Sequence, residues 1–404
     1  MADGTTAPST ARFARKREAI IAAATVILNR QGVKGATLAD VAASVGLITT
    51  SVTYYFKKKE DLAAACFLSS IERLDALVTE ALREATPHKR LHRLLDLYLS
   101  LDREIRQGEA PAIAYLSDVR ALGDDVLEPV WLALLDLYRR LSSLFYPGGA
   151  VDQRGAMARA YVLMEQIFWS PAWLFRYDLD DYPRVRDRMF DILAHGLAVP
   201  GAAWDPILLP NACASAVTTG QETFLLAATR LINQRGYRGA SVEKISAQLN
   251  VTKGSFYHHN DAKDDLVVAC FERSFEVIRR VQTAGQQLPG SQWTRLSSIA
   301  RTLAEHQLSD QGPLLRSSAL SALPEPIREQ MVEQSSRISS RFAAMISDGI
   351  ADGSIRPVDP AIAAQMLNAT LNAASDLRAS QSGVTREEVG AFYAKPMLMG
   401  LFSG

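Results

Sequence analysis

The chain has 404 residues, 48% hydrophobic and 22% charged, and its 44 basic and 44 acidic side chains cancel to a formal net charge of zero. That length exceeds one ordinary domain, and the apolar content is enough to build real cores. Zero net charge argues against a uniformly basic nucleic-acid binder, so any phosphate-binding surface has to be local.

Small and polar residues precede Arg12, Arg15, Lys16 and Arg17, and no apolar run follows them. This argues against a secretory signal and for the cytoplasm. No stretch approaches the roughly 18 apolar residues that span a bilayer, so no membrane partner is expected. From Arg12 to Lys59, nine basic residues face only Glu18 and Asp40, a local excess of about +7. A basic module on an acidic body suits a protein that touches phosphate with one end.

Ile20, Ala23, Ala24, Ile27 and Leu28 follow the spacing of one buried stripe and predict a first helix, ended by Gly32. Thr37 is an N-cap type with Asp40 at the capping-box position, and it opens a short second helix with Leu38, Val41, Ala42 and Val45 on its apolar face. Gly46 tolerates positive φ and turns the chain into a third helix. Two short helices joined this tightly and braced by a longer one make a helix-turn-helix unit. Further amphipathic helices are predicted over 62–85, 89–106, 124–145, 153–177 and 183–197, with Pro171 kinking or breaking the fourth. Residues 198–219, containing Pro200, Gly201, Pro206 and Pro210, read as a linker.

Beyond that linker the chain repeats itself. Shifted by 204 positions, Glu18, Ala23, Ala24, Thr25 and Asn29 recur as Glu222, Ala227, Ala228, Thr229 and Asn233. Gly32 and Gly35 recur as Gly236 and Gly239, and Lys59, Asp61, Leu62, Cys66 and Phe67 as Lys263, Asp265, Leu266, Cys270 and Phe271. The chain is a tandem duplication. Ser241 is the second N-cap, Val242, Ile245 and Leu249 the matching apolar face, and Asn250 the matching turn. Helices are predicted over 264–286, 291–308, 325–349, 360–380 and 386–401, and no strand alternation stands out, so the expected class is all-α.

The second copy then reads Val251-Thr252-Lys253-Gly254-Ser255-Phe256-Tyr257-His258-His259-Asn260 before Lys263, and the first reads Leu47-Ile48-Thr49-Thr50-Ser51-Val52-Thr53-Tyr54-Tyr55-Phe56 before Lys59. Together with the Ala-rich first helices and the Gly-x-x-Gly turns, both copies resemble TetR/AcrR-type transcriptional regulators. The second copy departs from that pattern at Asn260, and the first at Thr49-Thr50, Thr53 and Tyr55. The resemblance implies two copies, each with a three-helix DNA-binding unit and a helical ligand-binding and dimerising body. It also implies a repressor released from its operator by a small molecule. The corresponding divisions are 12–60 and 220–264 for the DNA-binding units, and 61–197 and 265–404 for the bodies.

The third helix of such a unit lies in the major groove, where base edges carry an unambiguous donor and acceptor pattern. Thr49, Thr50, Ser51 and Thr53 in the first copy, and Thr252, Lys253, Gly254, Ser255 and Tyr257 in the second, are the expected contacts, flanked by the caps Thr37 and Ser241. By resemblance, Tyr54, Lys59, Tyr257, His258 and Lys263 sit near the DNA backbone. Val45, Leu47, Val52 and Phe56 are expected in the core. Phe168, Trp169 and Trp173 form an aromatic run that either packs a core or lines a pocket for an apolar or aromatic effector. The stretch around 366–374 is small and amide-rich instead, so the two bodies differ in any cavity.

Cys66, Cys213 and Cys270 are far apart with no Cys-x-x-Cys spacing, and Cys66 and Cys270 sit on apolar faces as small hydrophobes. His88 and His92 have a metal-like spacing without a third ligand, and the adjacent His258 and His259 point apart. No metal, cofactor or catalytic residue is expected, and the chain is not expected to be an enzyme. Other readings keep one copy on DNA with the second as an interaction or ligand module, or make the chain a helical enzyme or carrier on a regulator scaffold. The two reading helices differ at nearly every exposed position. A pairing of the two copies within one chain therefore implies an asymmetric operator, whereas a homodimer implies a longer or symmetric one.

Overall fold

The protein is described by a computed structural model over residues 7–145, 152–213, 219–239, 263–316, 319–320, 323, 325–374 and 383–403. It divides into two compact units, residues 1–76 with 101–137, and residues 77–100 with 138–404. Among the described residues the regular structure is helical, and the β pairing is a single isolated bridge between Ala198 and Ile355.

In chain order the first copy contains α1 (Ala7–Gly35), α2 (Leu38–Ser44), α3 (Thr49–Tyr55), α4 (Lys59–Ala81), α5 (Pro87–Gln107), α6 (Asp124–Ser142), α7 (Gln153–Trp169), α8 (Pro171–Leu174) and α9 (Tyr182–His195). The second contains α10 (Thr219–Gly239), α11 (Lys263–Gln286), α12 (Gln292–Leu308), α13 (Glu325–Ala351), α14 (Pro360–Ala373), α15 (Arg386–Val389) and α16 (Lys395–Met399). The apolar periodicities predict these helices to within a few residues. Pro171 breaks the predicted 153–177 helix, because a proline ring cannot continue the hydrogen-bond ladder of the turn before it. The main departures are at α1, which starts at Ala7, ahead of the apolar stripe, and at a 3-10 turn over Leu116–Ala121. Gly32 and Gly236 hold the same left-handed conformation, φ 67° and 70°, at the same place in each copy.

Within the larger unit, α7 packs against α14, and α9 against α14 and α16. Both α7 and α14 are buried on nearly every side, as expected of helices at the centre of a bundle. Gln166 donates to the Met366 carbonyl and the Thr370 hydroxyl, both at 3.1 Å, and the Trp169 indole donates to Gln365 at 3.1 Å. Arg159, 8% exposed, donates to the carbonyls of Leu401 at 2.6 Å and Ser403 at 2.7 Å. The backbone is stitched as well, Leu197 N to Leu398 O and Leu401 N to Leu193 O, each at 2.7 Å.

The segment after α9 is not a loose tether. Its Ile207 and Leu209 amides donate to Ser298 and Thr302 of α12, while Trp293 and Arg301 of the same helix donate to the Ala203 and Pro206 carbonyls. A backbone fastened at four points has little freedom left.

Candidate nucleic-acid interface

Helices α1, α2 and α3 form the first helix-turn-helix unit. Thr37 caps α2: its hydroxyl accepts from the Asp40 amide at 3.1 Å and donates to the Asp40 carboxylate at 2.7 Å. That hydroxyl is thus committed to local structure. The turn at Gly46 has φ 66°, and α3 follows with Val52 fully buried and Phe56 4% exposed beneath it. Val45 and Leu47, also expected in the core, are half-buried.

Burying that face turns the hydroxyls outward. Thr49 and Thr50 are exposed, Ser51 and Thr53 half-buried, and Tyr54 is 75% exposed. The Thr53 hydroxyl donates to the Thr50 carbonyl at 2.9 Å. Lys59 donates to the Lys34 carbonyl at 2.9 Å, and an ammonium with three donors keeps two for a phosphate. The first-copy candidates are thereby grouped around one short helix.

Ser241, Thr252, Lys253, Gly254, Ser255, Tyr257 and His258 lie outside the described residues, as does the Asn250 turn. Lys263 is the first residue of α11. Phe168 and Trp169 are half-buried and Trp173 is 3% exposed, its ring 5.9 Å from Tyr177 in an edge-on arrangement. The Trp169 indole is engaged with Gln365. A cleft of about 420 Å³ lies elsewhere, against Glu276, Arg279, Arg280, Thr283, Ala284 and Gln287 of α11.

One set of functional candidates escaped the sequence reasoning. The Asn29 amide donates to the Ile113 carbonyl at 2.8 Å and accepts from the Tyr115 amide at 2.9 Å, clamping α1 to the segment after α5. Asn233 repeats this on the Leu314 carbonyl, 2.9 Å, and the Arg316 amide, 3.1 Å. Ser70 and Ser274 repeat as well, accepting from the Ala114 and Leu315 amides. Asp118 adds a bond from the Val33 amide at 2.8 Å, just beyond Gly32. The first helix of each copy is therefore pinned to its own body by side-chain bonds to backbone. The signal was available: Asn29 and Asn233 are repeated mid-helix residues of a type that disfavours mid-helix positions.

Burial favours the neutral form of three thiols and one imidazole. Burial raises the thiols of Cys66 to about 11, Cys213 to about 11 and Cys270 to about 12, despite nearby arginines or hydroxyls that lower them. His306, 3% exposed, is lowered to about 3 by burial, and further by Arg273, Arg386 and Arg280. Among the described residues, no group of three or more His, Cys, Asp or Glu side chains is placed to hold a metal ion. His88 stacks on Phe402 at 3.9 Å, and His92 lies 3.5 Å from Asp187. No described helix is long and apolar enough to cross a membrane.

Residues 20–66 and 224–270 each match bacterial regulatory proteins of the tetR family, and residues 289–400 match the tetracyclin repressor-like C-terminal domain. The chain belongs to the tetR family. This tetR-family chain carries the family's DNA-binding unit twice, and it is a DNA-binding transcriptional regulator. It is 26% identical over 164 residues to the transposon Tn10 TetC protein of Escherichia coli, covering 37% of this chain and 78% of that protein. It is 28% identical over 131 residues to the HTH-type transcriptional repressor DhaR of Mycobacterium sp. (strain GP1), covering 32% of this chain and 66% of that one. Among solved structures it is similar to the TetR family transcriptional regulator PfmR from Thermus thermophilus. The TM-score is 0.38 and the identity 20%, over 44% of this chain and 98% of that one.

Proposed function

We propose that this regulator is a cytoplasmic repressor whose two copies pair within one chain, as an intrachain pseudo-dimer that reads an asymmetric operator and releases it on binding a small effector. The observation that carries the pairing is the self-correspondence of the α7–α14 contact. Gln166 and Thr370 occupy the same position in the 204-residue repeat, and they hydrogen-bond to each other. Gly196 with Gly400, and Leu197 with Leu401, are likewise equivalent positions, and the two backbone bonds near them run in opposite directions across the contact. Mutual contacts of this kind are the mark of a two-fold interface.

The hydroxyl-rich α3 and the Lys253-Gly254-Ser255-Phe256-Tyr257 stretch then face unlike half-sites. Selection of bound duplexes from random DNA, followed by footprinting, tests this. The expected result is two different half-sites about one helical turn apart or a multiple of it. A perfect palindrome overturns the asymmetry, and a single half-site places only one copy on DNA. The effector reading rests on Phe168 and Trp173 flanking the break at Pro171, a setting that suits an apolar or aromatic molecule. Trp173→Ala should keep DNA affinity while blunting release by a compound found in a thermal-shift screen of such molecules. Unaltered release places the effector elsewhere.

A further inference from the structure

In sequence, the first copy carries a basic and aromatic run that the second lacks. Helix α1 begins at Ala7, while the family match begins at Ile20. The turns ahead of that match span about 20 Å of helix. Residues 11–19 are all exposed, so core burial does not explain the extension. Its anchor is aromatic. The Phe13 ring lies 4.7 Å from Tyr55 and 6.0 Å from Tyr54, at the C-terminal end of α3, and the Arg17 guanidinium sits over the Phe56 ring at 5.2 Å.

Phe13 and Arg17 are four residues apart and share a face, and the neighbouring face presents Arg12, Arg15 and Lys16. Arg15 donates to the Ala11 carbonyl at 3.4 Å, and neither Arg12 nor Lys16 has an ion-pair partner among the described residues. Glu18 is the sole acid between Ala7 and Ala39. In the 204-residue register the second copy has Ala216, Val217, Thr219, Gly220 and Gln221 where Arg12, Phe13, Arg15, Lys16 and Arg17 stand. It lacks both the cations and the aromatic anchor.

We propose that the 12–16 segment of α1 is an additional DNA-contacting element, in which Arg12, Arg15 and Lys16 grip backbone phosphates outside the half-site read by α3. This rests on the reading that α3 enters the major groove. The segment is carried by the reading helix itself, through Phe13 on Tyr54 and Tyr55, so docking α3 brings the three cations to the flanking duplex. Phosphate contacts of this type set affinity and register rather than base choice. Since only the first copy has them, the footprint is longer on one side.

The test compares the full chain with R12A/R15A/K16A, with F13A, and with R83A/R337A as a charge-removing change on exposed body residues. The probe is a duplex selected with the wild-type chain. The triple variant should lower the magnitude of the salt slope by about 2–3 and weaken binding about tenfold or more at 0.15 M salt. It should lose protection on one flank only, with base preferences unaltered. F13A should blur the same flank while keeping the charges, and R83A/R337A should behave as wild type. Circular dichroism checks that each variant folds. Equal slope and footprint in wild type and triple variant overturn the proposal while leaving α3 as the reader. Equal losses in R83A/R337A overturn it in favour of a general charge effect. A wild-type chain that binds no duplex overturns the underlying reading.

Discussion

Asn29 stands where an amide side chain would ordinarily compete with the helix around it, yet it satisfies two backbone groups of a segment 84 and 86 residues away. Removing it orphans a part-buried carbonyl and an amide, so Asn29→Ala should cost about 2 kcal/mol. The local readout is amide exchange at Tyr115, which should quicken well beyond any global change; unaltered exchange there would remove the clamp. His306 makes a pH prediction. Its folded-state pKa of about 3 lies below the usual histidine value, so under acid the unfolded chain binds a proton that the folded chain refuses. Stability from this residue is complete above about pH 6.5 and falls by about 1.4 kcal/mol per pH unit as the pH drops from there toward 3. His306→Gln should flatten the fall in Tm between pH 7 and pH 5, and an unaltered fall would assign the acid sensitivity to other groups. The three raised, buried thiols should stay silent toward a thiol reagent until the chain unfolds.

At the scale of the element, α3 is too short to hold its own shape in water and depends on Val52 and Phe56 for it. The pattern of apolar residues located that buried side correctly, because a helix can bury one stripe only if the opposite residues face out. Lys59→Ala should reduce the salt slope by about one unit and weaken binding to all sequences alike, measured by titration at several salt concentrations. An unchanged slope would restrict Lys59 to its bond with Lys34. Two features were hidden from periodicity. Helix α1 reaches back to Ala7 through side-chain contacts with α3, which no apolar stripe announces. The 203–209 segment is held by hydroxyls and side-chain donors of α12, whereas its prolines and glycines read only as a break between helices.

For the whole molecule, the pairing of equivalent residues predicts a particle near the 44.2 kDa chain mass in sedimentation, and a stable species of twice that mass would favour pairing between chains. Gly400 offers a sharper lever. Its φ is 103°, and a Cβ there would sit 2.6 Å from the Ala194 carbonyl. Gly400→Ala therefore strains both its own backbone and the strap to α9, and it should lower Tm by several degrees. A smaller effect than that of a Gly→Ala change where a Cβ meets nothing within 4 Å, such as Gly123→Ala, would mean that the two helix ends are not in close contact.

The all-helical class, the duplication and the short helix α3 with its buried face were legible in the residues, because burial periodicity, capping chemistry and a repeat are local or self-referential properties of a chain. The Asn29 and Asn233 clamps, the docked 203–209 segment and the α7–α14 contact were not. Each depends on groups 81 to 204 residues apart meeting across a packed interior. A repeat shows that two positions are equivalent. That Gln166 and Thr370 also touch follows from the packing of two helices that are buried on nearly every side, with their few interior polar groups hydrogen-bonded across the contact.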